Sequence, residues 1–151
     1  MKKLFLASFA LIGASVVSSQ VLAADNRQNY NGSYCSSYYG SQATSVGHYY
    51  NGAYNGSGAG MYISCPVIVD EASVTTGTNN VWIYTSAAGT SCTLFSMNGN
   101  GTSLQSQWGA GGPGWFAVPN LTADDYWGSY SMYCYLPAGA TLNTISISEK
   151  P

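Results

Sequence analysis

From residue 60 onward the chain consists of short runs in which apolar and polar residues alternate, which is typical of half-buried β-strands. In the clearest run every second residue is apolar: Met61, Ile63, Cys65, Val67 and Val69. Turns rich in Gly, Asn and Pro separate the runs. Strands are therefore predicted at 61–70, 80–85, 91–97, 102–108, 114–118, 126–136 and 141–148. No segment after residue 24 has a helical period.

Individual residues add predictions about how these strands are placed. Pro66 has no N–H to donate to a neighbouring strand, so its strand is expected at a sheet edge or at a bulge. In the second strand Trp82 and Tyr84 share the face opposite the apolar one. In the last strand the alternation places Ile145 on the more apolar face and Leu142 on the other.

This succession of strands predicts an all-β protein. About seven short antiparallel strands with regular turns favour a single β-sandwich, of the Ig-like or jelly-roll type. The sandwich body is expected to span 60–151. The segment 24–59, rich in Tyr, Gly, Ser and Asn, is expected to pack on that body as loops with one or two weak strands.

The first residues have the layout of a secretory signal peptide, here assigned to 1–23. Lys2 and Lys3 precede an apolar stretch, and small residues end at Ala23 and Ala24. The apolar stretch is too short and too interrupted for a comfortable membrane span, and none is expected in the mature chain. The sequence thus predicts a secreted protein, either periplasmic or extracellular.

Four cysteines remain after the signal peptide, and an even number in an exported chain predicts two disulfides. Three connectivities are possible. Cys65, Cys92 and Cys134 lie on the apolar faces of predicted strands, whereas Cys35 lies in the loop-rich segment. This distribution favours the pairs Cys35–Cys65 and Cys92–Cys134.

The charge distribution excludes two classes of partner. Between residues 28 and 148 there are four acidic side chains and no Lys or Arg. Nucleic-acid binding and attachment to anionic lipid both require several basic groups, so neither is expected. A surface with so little charge offers little electrostatic protection against self-association. Self-association therefore stays an open alternative.

Three short motifs carry a resemblance to a known group. They are Cys65-Pro66-Val67-Ile68-Val69-Asp70, Cys92-Thr93-Leu94 and Cys134-Tyr135-Leu136-Pro137. In this order behind a signal peptide, they resemble small secreted bacterial proteins of unknown function that carry Cys-Pro-Val-x-x-Asp, Cys-Thr-Leu and Cys-x-Leu-Pro. That group often has Arg at the position of Val69. The resemblance implies a disulfide-bearing secreted β-domain and no catalytic residues.

The sequence offers few groups for catalysis or metal binding. His48 is the only histidine, and no nucleophile-elbow motif accompanies it. The interior acids form two adjacent pairs, Asp70-Glu71 and Asp124-Asp125. Acids in turns commonly cap the backbone, although paired carboxylates also suit a calcium ion. We expect no enzyme activity and no cofactor, with calcium at the acidic pairs as an alternative and a hydrolase as the weakest one.

The aromatic residues are the remaining functional signal. Rigid rings with polar tips suit binding surfaces, although they also fill the core of a sandwich with little charge. The sequence therefore predicts a binding module for polysaccharide or a surface protein, with a structural, self-associating protein as the alternative. The candidate binding residues are Trp82, Tyr84, Trp108, Trp115 and Trp127.

Overall fold

Eleven strands form in the part of the chain that the computed structural model describes, residues 27–67, 78, 80–122 and 128–148. Two short 3-10 helices, Gly32–Tyr34 and Gly40–Ser45, interrupt the N-terminal part. The strands are β1 Arg27–Asn31, β2 Ser36–Ser37, β3 Val46–Tyr49, β4 Gly52–Asn55, β5 Met61–Val67, β6 Val81–Thr85, β7 Thr90–Met97, β8 Ser103–Gly111, β9 Gly114–Val118, β10 Ser129–Leu136 and β11 Thr141–Ser148.

The strands form two antiparallel sheets. The first sheet has the order β3-β4-β11-β6-β9, and the second has the order β2-β5-β10-β7-β8. In the first sheet β11 has β6 on one side, while β4 and β1 share its other side, with β4 near Leu142 and β1 along the C-terminal half. The pairing of β1 with β11 places Arg27 opposite Ser148.

A core of apolar side chains fills the space between the sheets, so the protein is an all-β sandwich, as predicted. Strand β5 alternates strictly between buried and more exposed residues, which confirms the clearest run in the sequence. The seven predicted strands are all present: β9 and β11 have the predicted bounds, β6, β7 and β8 have shifted ends, and the predicted ends at 68–70 and 126–127 lie outside the described residues. The largest side chains with almost no exposure are Met61, Ile63, Ile83, Leu94, Leu121, Met132, Leu136, Leu142 and Ile145.

One core residue contradicts the simple alternation. Leu142 was expected on the polar face of β11, but it is fully buried, as is Ile145 three positions later. The pairing of β11 with β6 is irregular between Leu142 and Thr144. A β-bulge at this point adds one residue to β11 relative to β6 and shifts the alternation by one position. Leu142 and Ile145 can therefore both face the core. The prediction failed because a bulge is set by the partner strand.

The N-terminal segment forms more strands than the one or two expected. Strands β1, β3 and β4 belong to the first sheet, and β2 is the edge of the second. Because β2 pairs only with Ile63 and Ser64, β10 is the one described neighbour of β5 at Pro66. The expectation of an edge strand or a bulge is therefore wrong for β5 as a whole, because β2 is the outermost strand and the pairing with β10 is regular, but Pro66 itself lies beyond the end of β2.

Two disulfides join neighbouring strands or their ends. Cys35 pairs with Cys65, and Cys92 pairs with Cys134, which is the connectivity that the strand faces favour. Cys92 and Cys134 lie directly opposite each other on β7 and β10. The first bond ties the chain just before β2 to β5. All four cysteines are buried.

The two sheets approach each other closely where β8 leads into β9. A cis peptide bond between Gly112 and Pro113 lies in the connection. A Cβ atom on Gly109 would lie 2.2 Å from the carbonyl oxygen of Ala117, so only glycine allows this approach of the two backbones. One side of the sandwich is therefore closed by main chain.

None of the described residues forms a helix with the length and hydropathy that a membrane span requires. The predicted signal peptide, residues 1–23, lies outside the described residues.

Candidate binding surfaces

Three exposed aromatic rings lie together on the outer face of the first sheet. Strand β6 buries alternate residues and turns Trp82 and Tyr84 outward, with exposed fractions of 42% and 40%. Trp115 on β9 lies directly opposite Tyr84 and is 53% exposed. The rings of Tyr84 and Trp115 meet edge to face, with their centroids 5.2 Å apart. We call the surface formed by Trp82, Tyr84 and Trp115 the tryptophan face.

Polar side chains continue the tryptophan face across the sheet. The strand register places Ser146 beside Trp82, and Asn29 beside Ser146. In the next row Thr144 lies beside Tyr84. Residues opposite each other on neighbouring strands point to the same side of a sheet. Rings, the Thr144 hydroxyl and the Asn29 amide therefore share one outer surface, whereas Ser146 between Trp82 and Asn29 is buried.

A shallow hollow of about 340 Å³ lies on this surface, lined by Arg27, Trp82, Trp115 and Ser146. Arg27 is the one formally charged side chain among residues 27–67, 78, 80–122 and 128–148. Its guanidinium group offers planar hydrogen-bond donors beside two indole rings. The hollow thus combines flat apolar surface with strong donors, which suits a ligand that has both ring faces and oxygen atoms.

The remaining predicted tryptophans do not join this face. Trp108, 62% exposed, lies on β8 opposite Thr93, on the outer face of the second sheet. Trp127 lies outside the described residues. Sequence reasoning treated the five aromatic residues as one candidate set, whereas the topology places Trp108 on the opposite side of the sandwich from Trp82 and Trp115.

A second aromatic surface lies on the outer face of the second sheet, and sequence reasoning missed it. Four rings line a cleft of about 270 Å³, and we call it the tyrosine cleft: Tyr38, Tyr39, Tyr62 and Tyr133. Neighbouring rings meet edge on, at 87° between Tyr38 and Tyr39 and at 76° between Tyr62 and Tyr133. The four rings therefore form the sides of a cleft and do not form one flat stacking surface.

The main chain holds the tyrosine cleft in place. The N–H of Tyr38 donates to the carbonyl oxygen of Tyr62 at 2.9 Å, and the hydroxyl of Ser37 donates to the carbonyl oxygen of Tyr39 at 2.6 Å. The disulfide from Cys35 to Cys65 fixes the same segment to β5. No local pattern in the sequence indicates this cleft, because residues 38 and 39 meet 62 and 133 only through long-range strand pairing.

The groups considered for catalysis and metal binding add little to these surfaces. His48 is exposed, and its Nδ1 lies 2.9 Å from the carbonyl oxygen of Ser33. The described residues contain no cluster of three His, Cys, Asp or Glu side chains. The proposed calcium-binding pairs, Asp70-Glu71 and Asp124-Asp125, lie outside the described residues.

Comparison with known proteins found no family model that matches this chain and no curated protein with significant sequence similarity.

Proposed function

We propose that this protein is a secreted, non-catalytic module that binds polysaccharide through the tryptophan face. The observation that carries the proposal is the contiguous patch formed by Trp82, Tyr84 and Trp115 on the outer side of the first sheet. Neighbouring exposed rings of this size mark interaction sites more often than isolated exposed residues do. Two disulfides support maturation in an oxidising compartment, as does the resemblance to small secreted proteins.

The chemistry of the patch favours a saccharide over a protein as the ligand. A pyranose ring has apolar C–H faces and hydroxyl edges. Trp82 and Trp115 offer ring surface for the C–H faces, Arg27 offers hydrogen-bond donors at the same hollow, and the exposed Asn29 offers its amide on the same strand as Arg27. The scarcity of charge fits a neutral polymer, because Arg27 is the one ionic group among the four residues that line the hollow, and few charges have to lose water on binding there.

Self-association through the sheet edges has weaker support. Strand addition requires a row of unpaired backbone groups, and exposed edges of that kind are the usual sites of assembly. At one edge of the second sheet, β2 is only two residues long, and Pro66 removes one donor from β5, and both features blunt that edge. The opposite edge is β8, which is nine residues long. A structural, self-assembling protein is therefore the second candidate.

The test is capture of the purified mature protein by insoluble chitin, cellulose and peptidoglycan, with and without calcium. We expect saturable capture by one polymer. Trp82→Ala and Trp115→Ala should weaken capture at least tenfold, since each removes a ring from the face. Trp108→Ala is the matched control, because this tryptophan is as exposed but lies on the other sheet, and it should bind like the native protein.

Two results would overturn the proposal. The first is failure of all three polymers to capture the native protein. The second is native-like capture of the Trp82→Ala and Trp115→Ala variants. If the native protein instead sediments as concentration-dependent oligomers, the self-associating alternative is supported. Loss of capture on calcium removal, with both tryptophan variants unaffected, would move the site to the acidic pairs.

A further inference from the structure

We infer that the tyrosine cleft is a second saccharide site, so that the protein holds two polysaccharide strands at once and cross-links them. This inference rests on the proposed function, because it assigns the same class of ligand to both surfaces. It adds a binding site on the opposite side of the sandwich and changes the protein from a monovalent module to a bivalent one.

The tyrosine cleft is preorganised for a ligand. Tyr39 meets Tyr62 with their rings at 83°, and Tyr38 meets Tyr133 at 56°, with centroid distances of 6.5 Å and 5.8 Å. The first contact is edge to face and the second is tilted, and both restrain the rings against each other. The backbone bond from Tyr38 to Tyr62 and the nearby disulfide restrain the same walls. A ligand therefore meets a shaped surface and does not have to order it.

The lining of the tyrosine cleft combines ring surface with hydroxyl groups. The cleft residues are four phenol rings, and the register places Ser64 on one side of Tyr133 and Thr93 on the other. Hydroxyl groups both donate and accept hydrogen bonds. A sugar hydroxyl uses both functions, and its C–H face packs on the rings. A polyproline peptide, the other common ligand of aromatic grooves, has carbonyl acceptors but no N–H donors. It would therefore use the hydroxyl groups of the cleft only as donors and leave their acceptor function unused.

The tryptophan face and the tyrosine cleft point in opposite directions. The tryptophan face belongs to the first sheet and the tyrosine cleft to the second, and each lies on the outer side of its sheet. Packed sheets lie about 10 Å apart, with their outer faces pointing in opposite directions. One extended polymer strand cannot lie on both surfaces without bending round the sandwich. Two strands can each occupy one surface, and the protein between them becomes a cross-link.

The test uses a soluble form of the polymer that captures the protein, such as hydroxyethyl cellulose or glycol chitin, and a short oligosaccharide of the same sugar. With the polymer, native protein should produce turbidity that rises and then falls as its concentration increases, because excess bivalent protein saturates single strands. With the oligosaccharide, calorimetry should give two sites per protein.

Single-face variants separate the two sites. Tyr39→Ala should bind one oligosaccharide with the affinity of the tryptophan face and should give no turbidity. Trp82→Ala should likewise keep one site and lose turbidity. Trp108→Ala, on the same outer face as the cleft but about 10 Å from Tyr133 across two strand spacings, should keep both properties. Tyr38→Ala repeats the test if Tyr39→Ala fails to show the native circular dichroism spectrum.

Failure of this inference is distinguishable from failure of the proposed function. One site per native protein, abolished by Trp82→Ala, would overturn the second site and leave the first intact. Native turbidity in both Tyr39→Ala and Tyr38→Ala would also overturn it. Binding of decaproline at the cleft, with no second oligosaccharide, would replace the saccharide by a proline-rich peptide. Failure of the native protein to bind the oligosaccharide and to be captured by any of the three polymers would overturn the proposed function itself.

Discussion

Asn55 at the end of β4 donates a hydrogen bond from its side-chain Nδ2 to the carbonyl oxygen of Leu136 at the end of β10, at 2.9 Å. The two residues belong to different sheets and lie 81 positions apart in the chain. The same amide also donates to the carbonyl oxygens of Ala59 and Pro137, and its Oδ1 accepts from both the N–H and the hydroxyl of Ser57. A fully buried side chain thus links the two sheets.

Replacement of Asn55 should therefore be costly. Asn55→Ala removes these hydrogen bonds and leaves the buried carbonyl oxygen of Leu136 without this donor, and we expect a loss of about 1–3 kcal/mol in the free energy of unfolding. Asn100→Ala, at an exposed turn, is the control and should change it by less than about 0.5 kcal/mol. Urea titration followed by tryptophan fluorescence measures both. Equal values for the two variants would contradict a structural role for the Asn55 amide.

The approach of β8 to β9 predicts a second sensitive position. Gly109→Ala places a methyl group 2.2 Å from the carbonyl oxygen of Ala117, so the backbones have to separate, and we expect a loss of about 1–3 kcal/mol or more. A Cβ atom on Gly40 meets nothing within 4 Å, so Gly40→Ala is the matched control and should be close to neutral. Thermal unfolding of both variants gives the comparison. A native melting temperature for Gly109→Ala would exclude the close approach.

The two disulfides should be equally stabilising but should differ in their effect on the tyrosine cleft. They close loops of 30 and 42 residues, and a chain-entropy estimate gives about 3.5–4 kcal/mol for each. Only the Cys35–Cys65 bond holds the segment that carries Tyr38 and Tyr39. In the absence of denaturant, the double variant Cys35→Ala and Cys65→Ala should lose ligand binding at the tyrosine cleft. The double variant Cys92→Ala and Cys134→Ala should keep it. Calorimetry on folded samples checks this, and the opposite pattern would contradict it.

The segment before residue 60 should be essential for folding. Val46, Ala53 and Asn55 are buried, and three strands of this segment complete the first sheet. A chain that begins at residue 60 with Cys65→Ala should therefore lack dispersed amide signals in its NMR spectrum. The full chain with both Cys35→Ala and Cys65→Ala is the control, since it lacks the same disulfide but keeps the segment. A folded spectrum for the shorter chain would make 60–151 an independent domain.

The strands after residue 60 were predictable because their signal is local. The burial patterns of β5, β6 and β7 follow from side chains that alternate across a strand, and the turns carry Gly or Asn. The disulfide pairing followed for the same reason, since three of the four cysteines lie on apolar faces. The outward direction of Trp82 and Tyr84 was also available from alternation alone.

The features that the sequence did not reveal all depend on distant partners. Leu142 enters the core because β6 forces an irregular pairing on β11. Trp108 and Trp82 separate because β6 and β8 join different sheets, which no local pattern specifies. The tyrosine cleft requires β2 to pair with β5 and β5 to pair with β10. Prediction from local patterns therefore recovered the strands after residue 60 and did not show which aromatic residues share a surface.

The position of Arg27 opposite Ser148 has a mechanical consequence. In an antiparallel pair the first residue of one strand and the last residue of the other lie at the same end, so the chain enters and leaves the sandwich at one point. Tension between these ends loads one backbone hydrogen bond at a time and peels β1 away from β11. Because Arg27 lines the hollow of the tryptophan face and Asn29 lies on the same strand, a pull on the two ends of this strand pair would disrupt that surface before the rest of the sandwich.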